Sequence, residues 1–485
     1  MMEGQSKLKL NYKRTMLIGF AFFGILLLWQ VYDSWCPTFL TELFTKAIYP
    51  NYAELEGAAL DRAQRSVQYI VGIIMAIDNL AALILLPIFG TLSDKTHTKI
   101  GKRMPYILVG TAACAIAFPF IPVFFHFNNI VGVIIMMAIV VIFAMMYRNP
   151  AVALMPDITP KPLRSKANGI INIMGYIGAS FSILVGFVFV LSQYLGTEVD
   201  ADGNLKPFTW QYQNIWSIEL PFLIASVLML VSALVLFFTV KENKVNEEMK
   251  EQMEQGEKES QSIDKVSEDK PLTKANLIML ILILVAEFFW FMADNGINTF
   301  MGNYAIYFLK TSTRSHFLNT LIFGIGSVAG FALGGIIAEK IGRKFSVVIG
   351  LGLSGLAYIS WAILTFTVSF KVGQFPFWIF IIFFFRGFGM SLVHVNSFPM
   401  VVELCPGSKI GRFTGLYYAS SMAAQTITPV ALGALLLIDG FGWQFLPVYA
   451  SICGIISLIF FMFVKNVKTT KTSFKKGLEA LDTDD

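Results

Sequence analysis

Among the ionisable side chains inside apolar stretches of this sequence are Asp33, Asp78, Arg148, Glu287, Asp294, Arg386 and His394. A charge at the middle of a hydrocarbon layer costs about 2.5–3.5 kcal/mol on an insertion scale, so it persists where it is paired or faces a wet cavity. A carboxylate or histidine in such a place can take up and release a proton as its surroundings change. Carboxylates, amides and guanidinium groups can also hold the hydroxyls of a polar solute. Trp29 stands one turn before Asp33, and Trp290 one turn before Asp294. That spacing places ring and acid on one helix face, where the ring can stack on the C–H face of a sugar or anchor at an interface. Asn172, Asn295, Asn298, Asn396 and Gln425 add amides that can serve a ligand or bind neighbouring helices together.

These groups need membrane helices to position them. Hydrophobic residues make up 55% of the 485-residue chain and charged residues only 14%, where a soluble domain carries roughly 25% charge. Twelve apolar stretches read as spans, near 15–44, 66–93, 103–126, 129–156, 166–194, 215–240, 274–309, 314–339, 345–370, 374–404, 411–438 and 442–465. The first follows Lys7, Lys9, Lys13 and Arg14 and is too long for the apolar core of a cleaved signal, so it is expected to be retained. With the N-terminus inside, 28 of the 37 lysines and arginines fall on inner segments, seven on outer loops, and Arg148 and Arg386 within spans. That bias places both termini in the cytoplasm. It also accounts for the net charge of +5, leaving no basic surface for a nucleic acid.

Other chemistries lack their residues. Cys36, Cys114, Cys405 and Cys453 are scattered, with neither a disulfide framework nor zinc spacing. No phosphate-binding glycine loop or H-E-x-x-H motif occurs, and His97, His126, His316 and His394 lie far apart. An enzyme, a cofactor and a bound metal are therefore not expected.

The chain divides as 15–240, a first six-span half; 241–273, a charged linker without aromatics, expected to be solvated and partly helical; 274–465, a second half; and 466–485, a tail. The outer segment 197–214 is polar and is expected to form a small cap. The halves repeat each other. G-T-L-S-D-K-T-H-T-K-I-G-K-R at 90–103 follows span 2, and G-I-I-A-E-K-I-G-R-K at 335–344 follows span 8. Span 4 ends with Asp157, Pro160 and Arg164, and span 10 with Glu403, Pro406 and Arg412. W-Q-V-Y-D at 29–33 matches W-F-M-A-D at 290–294. The acids among bases at the inner ends suggest latches between helices: Asp94 with Lys99, Lys102 or Arg103; Glu339 with Arg343 or Lys344; Asp157 with Arg164; and Glu403 with Arg412. Read plainly, the same charges are solvated anchors worth little each.

The two Gly–acid–basic loops resemble the signature of the major facilitator superfamily. The longer first copy, running into Pro105 and Tyr106, resembles the glycoside–pentoside–hexuronide cation symporters, and 156–168 is similar to their sucrose-transporter-like branch. The resemblance covers residues 15–465 and implies an all-α membrane fold of two pseudo-symmetric six-helix bundles, with helices 1, 4, 7 and 10 around a central cavity. Asp33 and Asp294 would then be symmetry mates, as would Arg148 and His394, each nine residues before an acid. The implied site gathers Trp29, Asp33, Asp78, Arg148, Trp290, Asp294, Arg386 and His394 with the five amides. Asp33, Asp78, Asp294 and His394 are its proton-coupling candidates. Asp78–Arg148 and Asp294–Arg386 can equally be permanent bridges between helices.

Sodium-using relatives carry paired aspartates on helix 2 where this chain has Ala82 and Leu86, so that sodium site is absent. Their sugar-binding aspartate on helix 4 aligns with Arg148. The resemblance thus implies alternating-access transport of a sugar, a disaccharide or other glycoside, by proton symport in a plasma (inner) membrane. Nothing in the sequence requires more than a monomer. A facilitator, or a carrier of an organic anion held by Arg148 and Arg386, is the rival reading.

Overall fold

The computed structural model describes residues 10–160, 163–191, 218–264, 273–369, 373–405 and 410–465, together with Leu8. The expected cap at 197–214 and the tail from 466 lie outside the described residues. Twelve helices are long and apolar enough to cross a membrane. They are α1 (Tyr12–Ile48), α2 (Gln68–Lys95), α3 (Met104–Ala117, continued by Phe120–His126), α4 (Ile130–Asp157), α5 (Arg164–Val188), α6 (Glu219–Thr239), α7 (Lys274–Asn303), α8 (Thr313–Ile341), α9 (Arg343–Thr367), α10 (Phe377–Leu404), α11 (Ile410–Leu436) and α12 (Leu446–Met462). Apolar side chains and internally bonded backbone suit these segments to lipid, which offers the chain no hydrogen bonds. Polar side chains start several of them: Asn11, Asn129, Thr273 and Ser312 each accept a backbone N–H of the first turn. Inner and outer faces are distinguished below by the N-terminal end of α1, which marks the inner one.

Each half has its own core. In the first, α1 packs on α5 and α6, and Phe39 stacks on Phe125 at 4.1 Å between ring centroids. In the second, α10 packs on α8 and α9, while α7 packs on α11 and α12. Three pairs cross between halves: α2 with α11, α5 with α8, and α1 with α7.

The α2–α11 crossing depends on two glycines. A Cβ at Gly72 would strike the carbonyl of Pro429, and one at Gly433 the carbonyl of Gln68. Backbone meets backbone there, so a side chain cannot be absorbed by a rotamer change. Gly72→Leu is therefore expected to push the outer ends of the halves apart. Cysteines introduced beside this crossing should then react with a membrane-impermeant thiol reagent severalfold faster from the outer side. Unchanged reactivity would show that the crossing is not what closes that side.

Two features depart from the sequence reading. The segment before α2, outside the twelve expected spans, contains a helix, Gly57–Ser66. The linker forms a helix, Glu242–Asp264, whose first residue is docked rather than solvated. The Glu242 carboxylate accepts the backbone N–H groups of Lys102 (2.9 Å), Arg103 (3.1 Å) and Met104 (3.0 Å). An anion at the start of α3 satisfies donors that the helix itself cannot. Val245 and Met249, one and two turns on, are buried behind it.

Candidate functional site

In the first half, α1 presents the polar strip Gln30, Asp33 and Ser34, with Gln30 Nε2 donating to Ser34 Oγ at 3.3 Å. Asp33 is exposed, and Asp78 on α2 is half-buried and lies within the field of Asp33. The wholly buried Tyr32 brings its hydroxyl beside Asp78, and Cys36 lies one turn on, within the field of both acids. Trp29 is half-buried and meets Tyr32 edge-on at 5.6 Å. Arg148 on α4 is half-buried, and among the described residues it makes neither an ion pair nor a hydrogen bond. The permanent Asp78–Arg148 bridge is thus not formed. Asn172 is half-buried on α5.

The second half neutralises its own charges. Arg386 on α10 is 2% exposed and pairs with Asp294 of α7. Its Nη2 also donates to Asn298 Oδ1 at 2.8 Å, and Asn298 Nδ2 returns a bond to Asp294 Oδ2 at 2.9 Å. Asp294 and Asn298 are one turn apart, so a single face of α7 supplies both acceptors. Phe323 and Phe383 hold the guanidinium plane, 4.5 and 5.1 Å from their ring centroids. His394 is half-buried and meets Phe291 edge-on at 5.5 Å.

Two expected ligand contacts are corrected. Trp290 is 1% exposed and packs in the core with Val347, Leu351 and Met390. One turn before the acid, the ring meets apolar side chains of α9 and α10 rather than the polar pair. Asn396 is buried and spends its amide on Ser346 Oγ (3.0 Å) and Leu392 O (2.9 Å), holding α10 to α9. Asn295 and Gln425 are half-buried. Asn295 Oδ1 has no hydrogen-bond partner, and the Gln425 carbonyl accepts Asn79 Nδ2 at 3.4 Å across the halves.

At the inner ends, Arg103 gathers the first half's charges. It pairs with Asp94 and with Asp157 at 2.8 Å, and it donates to Ser93 Oγ at 2.5 Å. Lys102 Nζ also reaches Asp157, at 3.1 Å. Burial works against the Arg103 charge, but Asp157 and Asp94 more than offset it, and its pKa lies above the usual guanidinium value. Arg164 is not Asp157's partner as expected. It donates to the carbonyls of Thr159 (3.1 Å) and Pro156 (2.8 Å), pinning the turn between α4 and α5. In the second half the expected latch around Glu339 is not seen. Glu339 is exposed, Lys344 donates to the Met462 carbonyl at 3.1 Å, Arg343 is half-buried and Arg412 is exposed. The Glu403 side chain lies outside the described residues.

The hydrogen bonds that join the halves lie toward the outer face. Glu42 on α1 is buried and accepts Tyr52 Oη at 2.6 Å and Tyr307 Oη, from the far end of α7, at 2.9 Å. Burial, and then the Glu42 charge, push the Tyr52 phenol well above its usual pKa, so it remains a donor. Asn303 links Thr38, Thr41 and Gln68 at 2.9–3.2 Å. Arg62 pairs with Asp439 at 2.8 Å, and Arg65 donates to the Phe441 carbonyl at 3.0 Å. Sequence reasoning missed this lock. Its one visible signal was Glu42, an acid near the outer end of the first span.

The family model described as Major Facilitator Superfamily matches residues 35–373 and 361–482. No curated protein matches the chain. Solved structures are similar over most of it. The xylose transporter XylE from E. coli, in a partially occluded inward-open conformation, has a TM-score of 0.60 at 16% identity over 95% of this chain and 99% of its own. A D-xylose-proton symporter gives 0.58 at 17% over 94% and 99%. A peptide transporter POT in complex with sulfate gives 0.59 at 16% over 93% of each chain. At these identities the likeness is one of fold, and it agrees with the twelve membrane helices. The family match spans far more than half of the sequence, and the chain belongs to the Major Facilitator Superfamily of membrane transporters.

Proposed function

We propose that the protein is a proton-coupled sugar symporter, held here open toward the cytoplasm. One observation carries this reading. Among the described residues, the first half leaves two acids, Asp33 and Asp78, and an arginine, Arg148, without ion pairs inside the membrane, while the second half pairs its own Asp294 with Arg386. Unpaired charges at that depth call for a ligand, a proton or water. A neutral polyol satisfies both kinds, since its hydroxyls donate to carboxylates and accept from a guanidinium. An organic anion would suit Arg148 but would oppose the charge of Asp33 and Asp78. Trp29 beside them offers an apolar face for a sugar ring.

The loop after α2 and the 156–168 stretch favour a disaccharide or other glycoside. The fold does not choose a solute, since it serves xylose in one neighbour and peptides in another. The excess of basic residues on the inner segments supports cytoplasmic termini and a plasma membrane location, and the single chain forms both bundles, as a monomer needs.

Uptake of labelled disaccharides into vesicles carrying the full chain tests the solute. Neutral sugars are expected to compete, and carboxylate anions are not. Arg148→Ala is expected to raise KM by at least about tenfold, the loss of a charge-assisted hydrogen bond worth about 1.5–3 kcal/mol. Competition by anions alone would replace the sugar with an organic anion.

A further inference from the structure

Glu287 lies on α7 seven residues before Asp294, two turns nearer the inner face and on the same side of the helix. It is wholly buried, and neither carboxylate oxygen has a hydrogen-bond donor. Its helix neighbours Leu280, Ile283, Trp290 and Ala293 are buried as well. An ionised carboxylate so enclosed and without a partner costs more than a fold of ordinary stability can bear, so the group holds a proton instead.

Among the described residues, the helices packed on α7 do not supply a counter-charge. From α10, Arg386 is taken by Asp294 and Asn298, and His394 meets Phe291. From α11, Tyr417 shares a hydrogen bond with Ser397 at 2.8 Å, Tyr418 packs on Phe398, and Arg412 is exposed at the inner end. From α12 come Tyr449 and Cys453, a phenol and a thiol, both packed in the outer core of this half. From α1, Glu42 is held by two tyrosines, Asp33 lies in the exposed strip, and Tyr32 and Cys36 belong to the first half's core. On α8, Arg314 donates to the Phe187 carbonyl at the outer end beside the buried His316, while Glu339 and Lys340 are exposed at the inner end.

We propose that Glu287 is a second proton-binding carboxyl of the transport cycle, loaded in the state described here and separate from the acids of the first half. Its proton leaves to water entering from the inner side, and the carboxylate that remains is reprotonated by a proton from the outer side before the next cycle. This rests on the symport reading for its role in the cycle, but not for the presence of the proton.

Infrared difference spectra of the reconstituted full chain, wild type against Glu287→Gln at neutral pH, test the proton directly. The wild type is expected to show the carbonyl stretch of a neutral carboxyl group that the near-isosteric Gln variant lacks. No difference in that band would overturn the proposal. Transport tests the role. Glu287→Gln is expected to retain exchange of labelled for unlabelled sugar but to lose gradient-driven accumulation at least tenfold, with Glu287→Asp recovering part of it. Accumulation equal to wild type, or loss of exchange from a folded variant, would overturn the role. If Gln prevents folding, the Asp variant must show a displaced neutral-carboxyl band, and an unmoved band would count against the proposal. Wild-type protein that exchanges sugar but never accumulates it would refute symport itself, with the infrared band still deciding Glu287.

Discussion

Arg386→Ala is expected to eliminate transport and to lower the stability of the second half by about 3 kcal/mol, the lower end of the range for breaking a buried ion pair. The lower end applies because the Asp294 side chain keeps 17% exposure and water can partly solvate it. The variant loses a guanidinium that joins α10 to two acceptors on α7 and fills the space between Phe323 and Phe383. It also strands Asp294 within the membrane. Arg386→Ala combined with Asp294→Asn is therefore expected to recover much of the thermal stability without recovering transport. Arg386→Lys should recover less than the charge suggests, since an ammonium neither stacks between rings nor presents a planar fork. Thermal unfolding of the purified single and double variants in detergent checks this. Equal losses in both would mean that packing, not the stranded charge, dominates.

The second large effect concerns coupling. Asp33→Asn and Asp78→Asn are each expected to leave exchange of labelled sugar largely intact while abolishing accumulation. One proton moving through 100 mV supplies about 2.3 kcal/mol, enough for roughly 50-fold accumulation. An uncoupled variant should fall to a ratio near one. The argument is electrostatic. Asp78 lies within the field of Asp33, so ionising both acids is costly, and a proton taken by one of them relieves the repulsion. An amide keeps hydrogen bonding to a solute but cannot exchange a proton. Steady-state accumulation against counterflow, in the same vesicles, separates the two functions. Full accumulation by both variants would move coupling to the second half.

Much of this architecture is written in composition and spacing. The span near 130–157 begins at Asn129 as a cap and ends beside Pro156 and Asp157, features that a reader of the chain can see. The acidic segment before α2 was harder, because the helix Gly57–Ser66 has only 10 residues and is polar on average. The linker's docking was hidden for another reason. Glu242 is one acid among many, and only folding shows that it meets three free N–H groups at the start of α3. Within the site, intramembrane charges were legible because each is costly, and Asp294 with Arg386 could be named as a pair. Their closure with Asn298 follows from the same helical spacing. Trp290 misled because spacing gives the face of a helix but not what packs on it, and α9 and α10 bring apolar side chains there. The outer lock was illegible because its partners, Glu42, Tyr52 and Tyr307, come from distant parts of the chain and include neutral phenols.

The central claim is that sugar and proton move together. It is tested most directly by adding an unlabelled disaccharide to lightly buffered, energy-depleted vesicles that carry the protein, while recording external pH. Symport is expected to raise the external pH as sugar enters, with the rise collapsed by a protonophore and missing in Asp33→Asn. Sugar entry at the same rate with no pH change would contradict it and leave a facilitator.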